Sequence, residues 1–324
     1  MEQAKELDEF PFGLVGEWLA DGEIVPFIGA GASAVGIESE AAPPDANGLA
    51  DELVDTMRAK LPDTASGELA KVAQYFARTA HDRPTLYQFL RKRFETQLEN
   101  TDPGAVASTL AKAPRRDKPL FLITTNYDSL IERAFRKAGR EICVITQNMR
   151  DLKNGASAVH LILPNGDVSE EGSIEFDWAD RARFKPDCVF LLKMHGSVHV
   201  KAPMADDVII TEDDYVDFMV NAGGSSNSPF FPPPSLTAEY KQRPFLFLGY
   251  SLSDWNFRAF LRMLARRNAL VGGSDDGERR HYAIQREPDP LEVELWKYRN
   301  VRLFSGDLGA FCSQVEAEWN GGAS

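Results

Sequence analysis

Short apolar runs recur along the chain with helical patterns between them, and this alternation sets the expected architecture. Ile24–Ile28 is the first run, closed by a glycine-rich turn, and Leu120–Ile123, Ile142–Ile145, Cys188–Leu192, Phe245–Leu248, His281–Ile284 and Val301–Phe304 follow. Each is too short for a helix and apolar at consecutive positions, the pattern of a strand buried on both faces. Between them lie amphipathic stretches such as Ser129 to Lys137. Strands alternating with helices predict an α/β fold, with a Rossmann-like, largely parallel sheet covered by helices on both faces.

Three segments interrupt the rhythm. Residues of about 43–112 contain several helical patterns, among them Leu69–Ala80 and Leu86–Gln97, and predict a helical insertion after the first strand. Residues of about 150–183 are rich in Gly, Asp and Glu and read as a loop insertion with a hairpin turn at Pro164-Asn165-Gly166-Asp167. Thr211-Glu212-Asp213-Asp214 has the capping-box pattern that opens a short helix. This third segment then runs into the Gly/Ser-rich and then Pro-rich residues of about 222–236, which read as a loop insertion, either a lid or an ordinary surface loop. No internal repeat is present, and the whole chain, 1–324, is expected to form a single domain.

Composition narrows the function classes. With 43% hydrophobic residues among 324 the chain can bury a sizeable core. Its 49 acidic and 36 basic side chains give a net charge of −13, which repels phosphate backbones and argues against direct nucleic-acid binding. Cys143, Cys188 and Cys312 are widely spaced, which excludes a four-cysteine zinc site within the chain and offers no disulfide framework. No apolar run reaches the ~18–20 residues of a membrane span. The N-terminus MEQAKELDEF has no apolar signal core, so a cytoplasmic location is expected.

The chemistry-bearing residues follow the strands. Gly29-Ala30-Gly31-Ala32-Ser33-Ala34 comes directly after the first strand, where a tight turn and a helix start can hold a diphosphate. A turn without ligand has the same pattern, and the compact βαβ unit of a dehydrogenase is absent. Thr124-Thr125-Asn126-Tyr127-Asp128 ends the second run, where Asn126 can bond a water or a ribose hydroxyl; the same residues also suit a helix cap. His195, in Lys193-Met194-His195-Gly196-Ser197, reads as a general base or as a structural histidine. Gly249-Tyr250-Ser251-Leu252-Ser253-Asp254 follows Phe245–Leu248 and precedes a helix expected from about Trp255 to Arg267, which Asp254 can cap. Individually each pattern has an ordinary structural account. Together they occupy successive strand ends, and a parallel sheet brings such ends to one crevice.

As a set these residues resemble the sirtuin family. Its Gly-Ala-Gly-x-Ser loop matches Gly29, Ala30, Gly31 and Ser33, and its Thr-Gln-Asn-x-Asp motif matches Thr124, Asn126 and Asp128, with Thr125 in the Gln position. Its catalytic His-Gly motif, here in the Lys-x-His-Gly-Ser form, matches Lys193, His195, Gly196 and Ser197, and its late Gly-x-Ser-Leu loop matches Gly249, Ser251 and Leu252. The four-cysteine zinc module of the protein deacylases in the family is missing. Gly36-Ile37-Glu38-Ser39-Glu40 stands where those enzymes have Ile-Pro-Asp-Phe-Arg. The Thr-Thr-Asn-Tyr-Asp variant is similar to the sirtuin-like proteins of bacterial anti-phage systems.

That resemblance implies an NAD glycohydrolase, with NAD as substrate and no metal. Asn126 would order the water or the nicotinamide ribose, His195 would be the base at a ribose hydroxyl, and Asp128 would orient the Asn126 loop. Gly29, Ala30, Gly31, Ser33, Thr124, Thr125, Gly249 and Ser251 would bind the dinucleotide. The resemblance also implies control by a homo-oligomer or a separate sensor partner, such as a HerA-type ATPase or an Argonaute-type protein. NAD-dependent protein deacylation and a non-catalytic NAD- or ADP-ribose-binding regulatory subunit are the competing readings.

Overall fold

The computed structural model describes residues 4–38, 41–57, 68–114, 116–147, 158–172, 176–180, 182–198, 208–222, 231–250 and 280–321. Ten strands form one sheet: β1 (Lys5–Glu6), β2 (Val25–Ile28), β3 (Leu120–Thr124), β4 (Ile142–Gln147), β5 (Ala158–Ile162), β6 (Val168–Gly172), β7 (Val189–Lys193), β8 (Phe245–Leu248), β9 (His281–Gln285) and β10 (Val301–Ser305). Their order is β1-β10-β9-β8-β2-β3-β7-β4-β5-β6, parallel throughout except where β5 pairs with β4 and β6. Every apolar run singled out in the sequence is a strand.

Alternate residues of these strands enter opposite cores. Phe121, Ile123, Cys143, Ile145, Phe190 and Leu192 bury on one face, beneath residues of the helices Glu212–Ala222, Pro234–Gln242 and Pro290–Lys297. Leu120, Leu122, Ile142, Val144, Val189 and Leu191 bury on the other, beneath Phe12–Asp21, Ala105–Lys112, Leu130–Lys137 and Leu308–Gly321. Each large side chain buried in this way contributes about 1.5–3 kcal/mol, which is why the central strands are apolar at every position. Pro26 sits in central strand β2, a place that normally disfavours proline. It is tolerated because β2 pairs with β3 only from Phe27 onward, while Val25 N–H is already donated to Pro244 O, leading into β8.

The sequence reading is amended at three places. A two-residue edge strand, β1, precedes the strand expected first. Residues of about 150–183, expected as a loop insertion, hold β5 and β6, and the hairpin turn lies where expected, with Leu163 N–H donated to Asp167 O at 2.8 Å. The helix opened by Thr211 continues to Ala222. Its capping box is reciprocal, with Asp214 N–H donating to Thr211 Oγ1 at 3.2 Å and Thr211 N–H to the Asp214 carboxylate at 2.8 Å.

The insertion after β2 contains Ala46–Met57, Leu69–Tyr75, Arg83–Arg91 and Ala105–Lys112. Leu49, Leu53, Val72, Phe76, Leu86, Leu90 and Phe94 form a third apolar cluster with Tyr127, Leu130, Val198, Val208 and Ile210. This cluster packs the insertion against the loops that follow β3 and β7. Arg83 clamps the same region, donating to both carboxylate oxygens of Asp214 at 2.8 Å and to Val208 O at 2.6 Å.

Among the described residues no helix is long and apolar enough to cross a membrane. His199, Ser251, Leu252, Asp254, the helix expected from about Trp255 to Arg267 and most of the 222–236 loop lie outside the described residues.

Candidate functional site

The four motif-bearing strands are consecutive in the sheet. The order β8-β2-β3-β7 is parallel, so the loops beginning at Gly249, Gly29, Thr125 and Met194 emerge side by side at one edge. From β2 the chain adds β3 and later β7 on one side, then crosses to β8 on the other. A crevice outside the carboxyl ends of strands at such a reversal is where open α/β sheets take their ligands.

Two loops close the floor of this crevice by direct backbone contact. Gly31 N–H donates to Gly249 O at 3.2 Å. A Cβ on Gly29 would lie 2.5 Å from Gly249 O, and a Cβ on Gly249, whose φ is +70°, would lie 2.1 Å from Ala32 N. The glycines are therefore required by the approach of one loop to the other, whatever the crevice holds. The helix after Gly29 is a single turn, Ala30–Ser33, and the N–H groups of Gly31 and Ala32 are used, Ala32 donating to Gly29 O at 3.0 Å.

Asn126 stands over this floor. Thr124 Oγ1 donates to Ile28 O at 2.7 Å and accepts from Asn126 N–H at 3.0 Å, tying the turn after β3 to the end of β2. The Asn126 side-chain amide donates to Gly29 O at 3.0 Å and to Ser33 Oγ at 2.8 Å. Ser33 Oγ in turn donates to Asp128 Oδ2 at 3.2 Å, and Asp128 Oδ1 accepts from Leu130 N–H at 2.9 Å. With its nitrogen committed twice, Asn126 presents its Oδ1 as an acceptor, and this atom is buried without a partner among the described residues. Such an orphaned acceptor costs about 1–3 kcal/mol unless something donates to it. Beside it, Thr125 Oγ1 and Tyr250 Oη lie 2.5 Å apart, and the Tyr250 ring meets Phe27 edge-on at 5.0 Å.

His195 lies two residues past the end of β7. Its ring lies 5.3 Å from the Tyr215 ring, in an edge arrangement, and 6.4 Å from the Tyr127 ring. Its side chain makes no hydrogen bond among the described residues, and burial pulls its pKa down to about 4. The imidazole is thus neutral near pH 7, and the burial that keeps it so makes it a weaker base than an exposed histidine. Tyr127 Oη donates to Ile209 O at 2.7 Å, which links the Asn126 loop to the segment beyond His195. Burial raises the Asp128 carboxyl from its ordinary range, against the opposing charge of Lys193.

The structure thus joins Gly29, Gly31, Ser33, Thr124, Thr125, Asn126, Asp128 and Gly249 in one network of contacts. It sets His195 beside them across the Tyr127 ring and leaves Ala30, partly exposed, at the start of the one-turn helix. Three features escaped the sequence reading. Tyr250 was legible only as the residue between two motif positions. Lys193 pairs with Glu132 at 3.1 Å, both wholly buried; an acidic residue on the apolar face of Leu130–Lys137 was the available signal. Gln147, last residue of β4 and 0% exposed, has no partner for either amide atom among the described residues. Among the described residues no three His, Cys, Asp or Glu side chains gather as metal ligands would, and the three cysteines are separately buried.

Comparison with known proteins shows what the chain is similar to. A family model described as a SIR2-like domain matches residues 120–304, from β3 to β10. The chain is 24% identical over 251 residues to "NAD(+) hydrolase ThsA" of Bacillus cereus (strain MSX-D12), covering 75% of this chain and 41% of that protein. It is 26% identical over 243 residues to "NAD(+) hydrolase ThsA" of Acinetobacter baumannii (strain 532279), covering 74% and 38%. It is 25% identical over 202 residues to "Defense-associated sirtuin 2" of Bacillus subtilis, covering 62% and 16%. The chain therefore matches about two fifths or less of the length of these relatives.

Proposed function

The chain belongs to the SIR2-like domain family, and from that premise we propose that it is an NAD glycohydrolase, releasing nicotinamide and ADP-ribose as the NAD-depleting effector of an anti-phage system. The observation that carries the proposal is the Asn126 Oδ1, a buried acceptor held without partner at the switch point of the sheet. Hydrolysis needs such a group. The bond from ribose C1′ to the pyridinium nitrogen breaks with its electron pair passing to nicotinamide, and the oxygen of a water bonds to C1′ and releases a proton. An acceptor fixed in direction orders that water, or a ribose hydroxyl, before reaction, which lowers the entropic part of the barrier. His195, neutral at working pH, takes a ribose hydroxyl proton as positive charge builds on the ring, and the proton released by the water returns to that ribose oxygen.

In this scheme Ser33 and Thr124 act through Asn126, since their hydroxyls are spent on its nitrogens, and Asp128 holds Ser33. Gly29, Ala30, Gly31 and Gly249 form the floor on which the dinucleotide rests, with Thr125 at its rim and Ser251 following Tyr250. Two relatives named as NAD(+) hydrolases and one named as a defence-associated sirtuin support the reaction and its setting. Assembly with further copies or with a separate sensor, a HerA-type ATPase or an Argonaute-type protein, is proposed on the same family basis.

The test is to incubate the purified chain with NAD and no peptide, following nicotinamide and ADP-ribose by chromatography. Turnover that Asn126→Ala and His195→Ala each reduce by about 10²-fold or more is expected. Nicotinamide release only when an acylated peptide is added would replace the proposal with deacylation. Binding without turnover, alone and with the candidate sensor, would replace it with a regulatory subunit.

A further inference from the structure

We propose that Lys193 is a positioning residue of this site: its ammonium, anchored by Glu132, fixes the carbonyls of Tyr127 and Asp128 and through them the setting of Asn126. The proposal rests on the reading of the crevice as the NAD site. Lys193 ends β7 and is 0% exposed. Its Nζ donates to Asp128 O, to Tyr127 O at 3.4 Å and to Glu132 Oε1 at 3.1 Å. The three ammonium protons thus have three acceptors, all on the segment that carries Asn126 and opens the helix Leu130–Lys137.

A buried ion pair is weak ground for stability, because removing both charges from water costs about as much as their attraction returns. The distinctive feature here is where the lysine points. Two consecutive peptide carbonyls are held from below by β7. The same segment is held from above by Ser33 on the Asp128 carboxylate and by the Asn126 amide on Gly29 O. Without the ammonium the lower tether is gone, and the carbonyls must turn to find other donors.

The lysine also sets the charge of Asp128. The charged groups acting on that carboxylate are Lys193 from β7 and Glu132 from the helix Leu130–Lys137; from the Gly29 loop Ser33 brings only a hydroxyl. Lys193 favours the ionised form against both burial and Glu132. Removing it lets Asp128 hold a proton to higher pH, and Ser33 then loses the anion to which it donates.

The experiment compares wild type, Lys193→Met, and the double variant Glu132→Leu/Lys193→Met. In the double variant neither Lys193 nor Glu132 leaves its partner as a lone buried charge, so a purely structural role for the pair would be repaired. The readouts are urea unfolding, kcat and KM for NAD across pH, and NMR exchange protection of the Leu130 amide and the Asn126 side-chain amide. Lys193→Met is expected to lower the unfolding midpoint, cut kcat by about tenfold or more with KM changed less than about threefold, and move the acidic limb of the pH profile upward. The double variant is expected to regain the unfolding midpoint while kcat stays low and the Asn126 amide exchanges faster. A double variant with wild-type kcat and pH profile overturns the proposal. If the wild-type chain turns over no NAD, alone and with the candidate sensor, the glycohydrolase reading fails. The NMR arm still decides on Lys193, and unchanged protection of both amides in the folded double variant overturns its positioning role.

Discussion

Replacing Gly249 with alanine tests the idea that loop-to-loop contact, independent of any ligand, fixes the crevice floor. The added methyl would sit 2.1 Å from Ala32 N and 2.8 Å from both Ala32 Cα and Cβ. Ordinary contact needs about 3.5 Å, so the two loops must part by more than ~1 Å. Parting them lengthens the bond from Gly31 N–H to Gly249 O beyond its 3.2 Å, and loss of such a bond costs about 1 kcal/mol. The φ of +70° adds about 1–2 kcal/mol for any residue with a Cβ, and the overpacking itself costs about 1–3 kcal/mol. The sum is about 3–6 kcal/mol, a large fraction of the 5–15 kcal/mol by which a domain is stable. Guanidinium unfolding of Gly249→Ala measures it. Gly321→Ala is the control, because a Cβ there meets nothing within 4 Å. At the end of a helix it should raise stability by up to about 1 kcal/mol. A Gly249→Ala protein within about 1 kcal/mol of wild type would refute the reasoning, since the loops would then be free to separate.

Two further predictions concern buried polar groups away from the crevice floor. Gln147→Leu removes an amide whose two polar atoms have no partner at 0% exposure, and unfolding should show a gain of about 1–3 kcal/mol; a loss of that size would mean the amide has a donor and an acceptor after all. His281 accepts from Phe245 N–H through Nδ1 at 2.9 Å, and burial lowers its pKa from 6.5 to about 4. A depressed folded pKa gives stability that is complete above 6.5 and lost as pH falls toward 4, roughly 3 kcal/mol in this case. His281→Asn keeps an acceptor that does not titrate in this range, so its unfolding free energy should fall less steeply than wild type between those limits; parallel curves would count against the assignment.

The central strands were legible because the physics is local to each. A strand covered on both faces must be apolar at every position, and Phe121-Leu122-Ile123 or Val189-Phe190-Leu191 admit few other readings. The edges were not. Lys5–Glu6 is two polar residues whose pairing exists only because β10 lies beside it, and Val168–Gly172 carries glutamates that suit an exposed edge as well as a loop. Strand β5 was hidden by His160, a polar residue within an otherwise apolar run that is buried all the same.

For the site, the sequence by itself determined which residues stand at the carboxyl ends of strands, because each motif follows its apolar run directly. Only the tertiary structure decided how they meet. Ser33 reaches Asp128 across 95 residues and Lys193 reaches Glu132 across 61, and no spacing rule spans such distances. The order β8-β2-β3-β7 places those loops side by side, and close packing then settles which hydroxyl serves Asn126 and which carbonyl receives the lysine. Chain pattern fixes direction and burial one residue at a time, whereas hydrogen-bond partners are chosen by position in space. That is why the Asn126 oxygen, legible beforehand as a polar group at a strand end, becomes an unmet acceptor only once the sheet has closed around it.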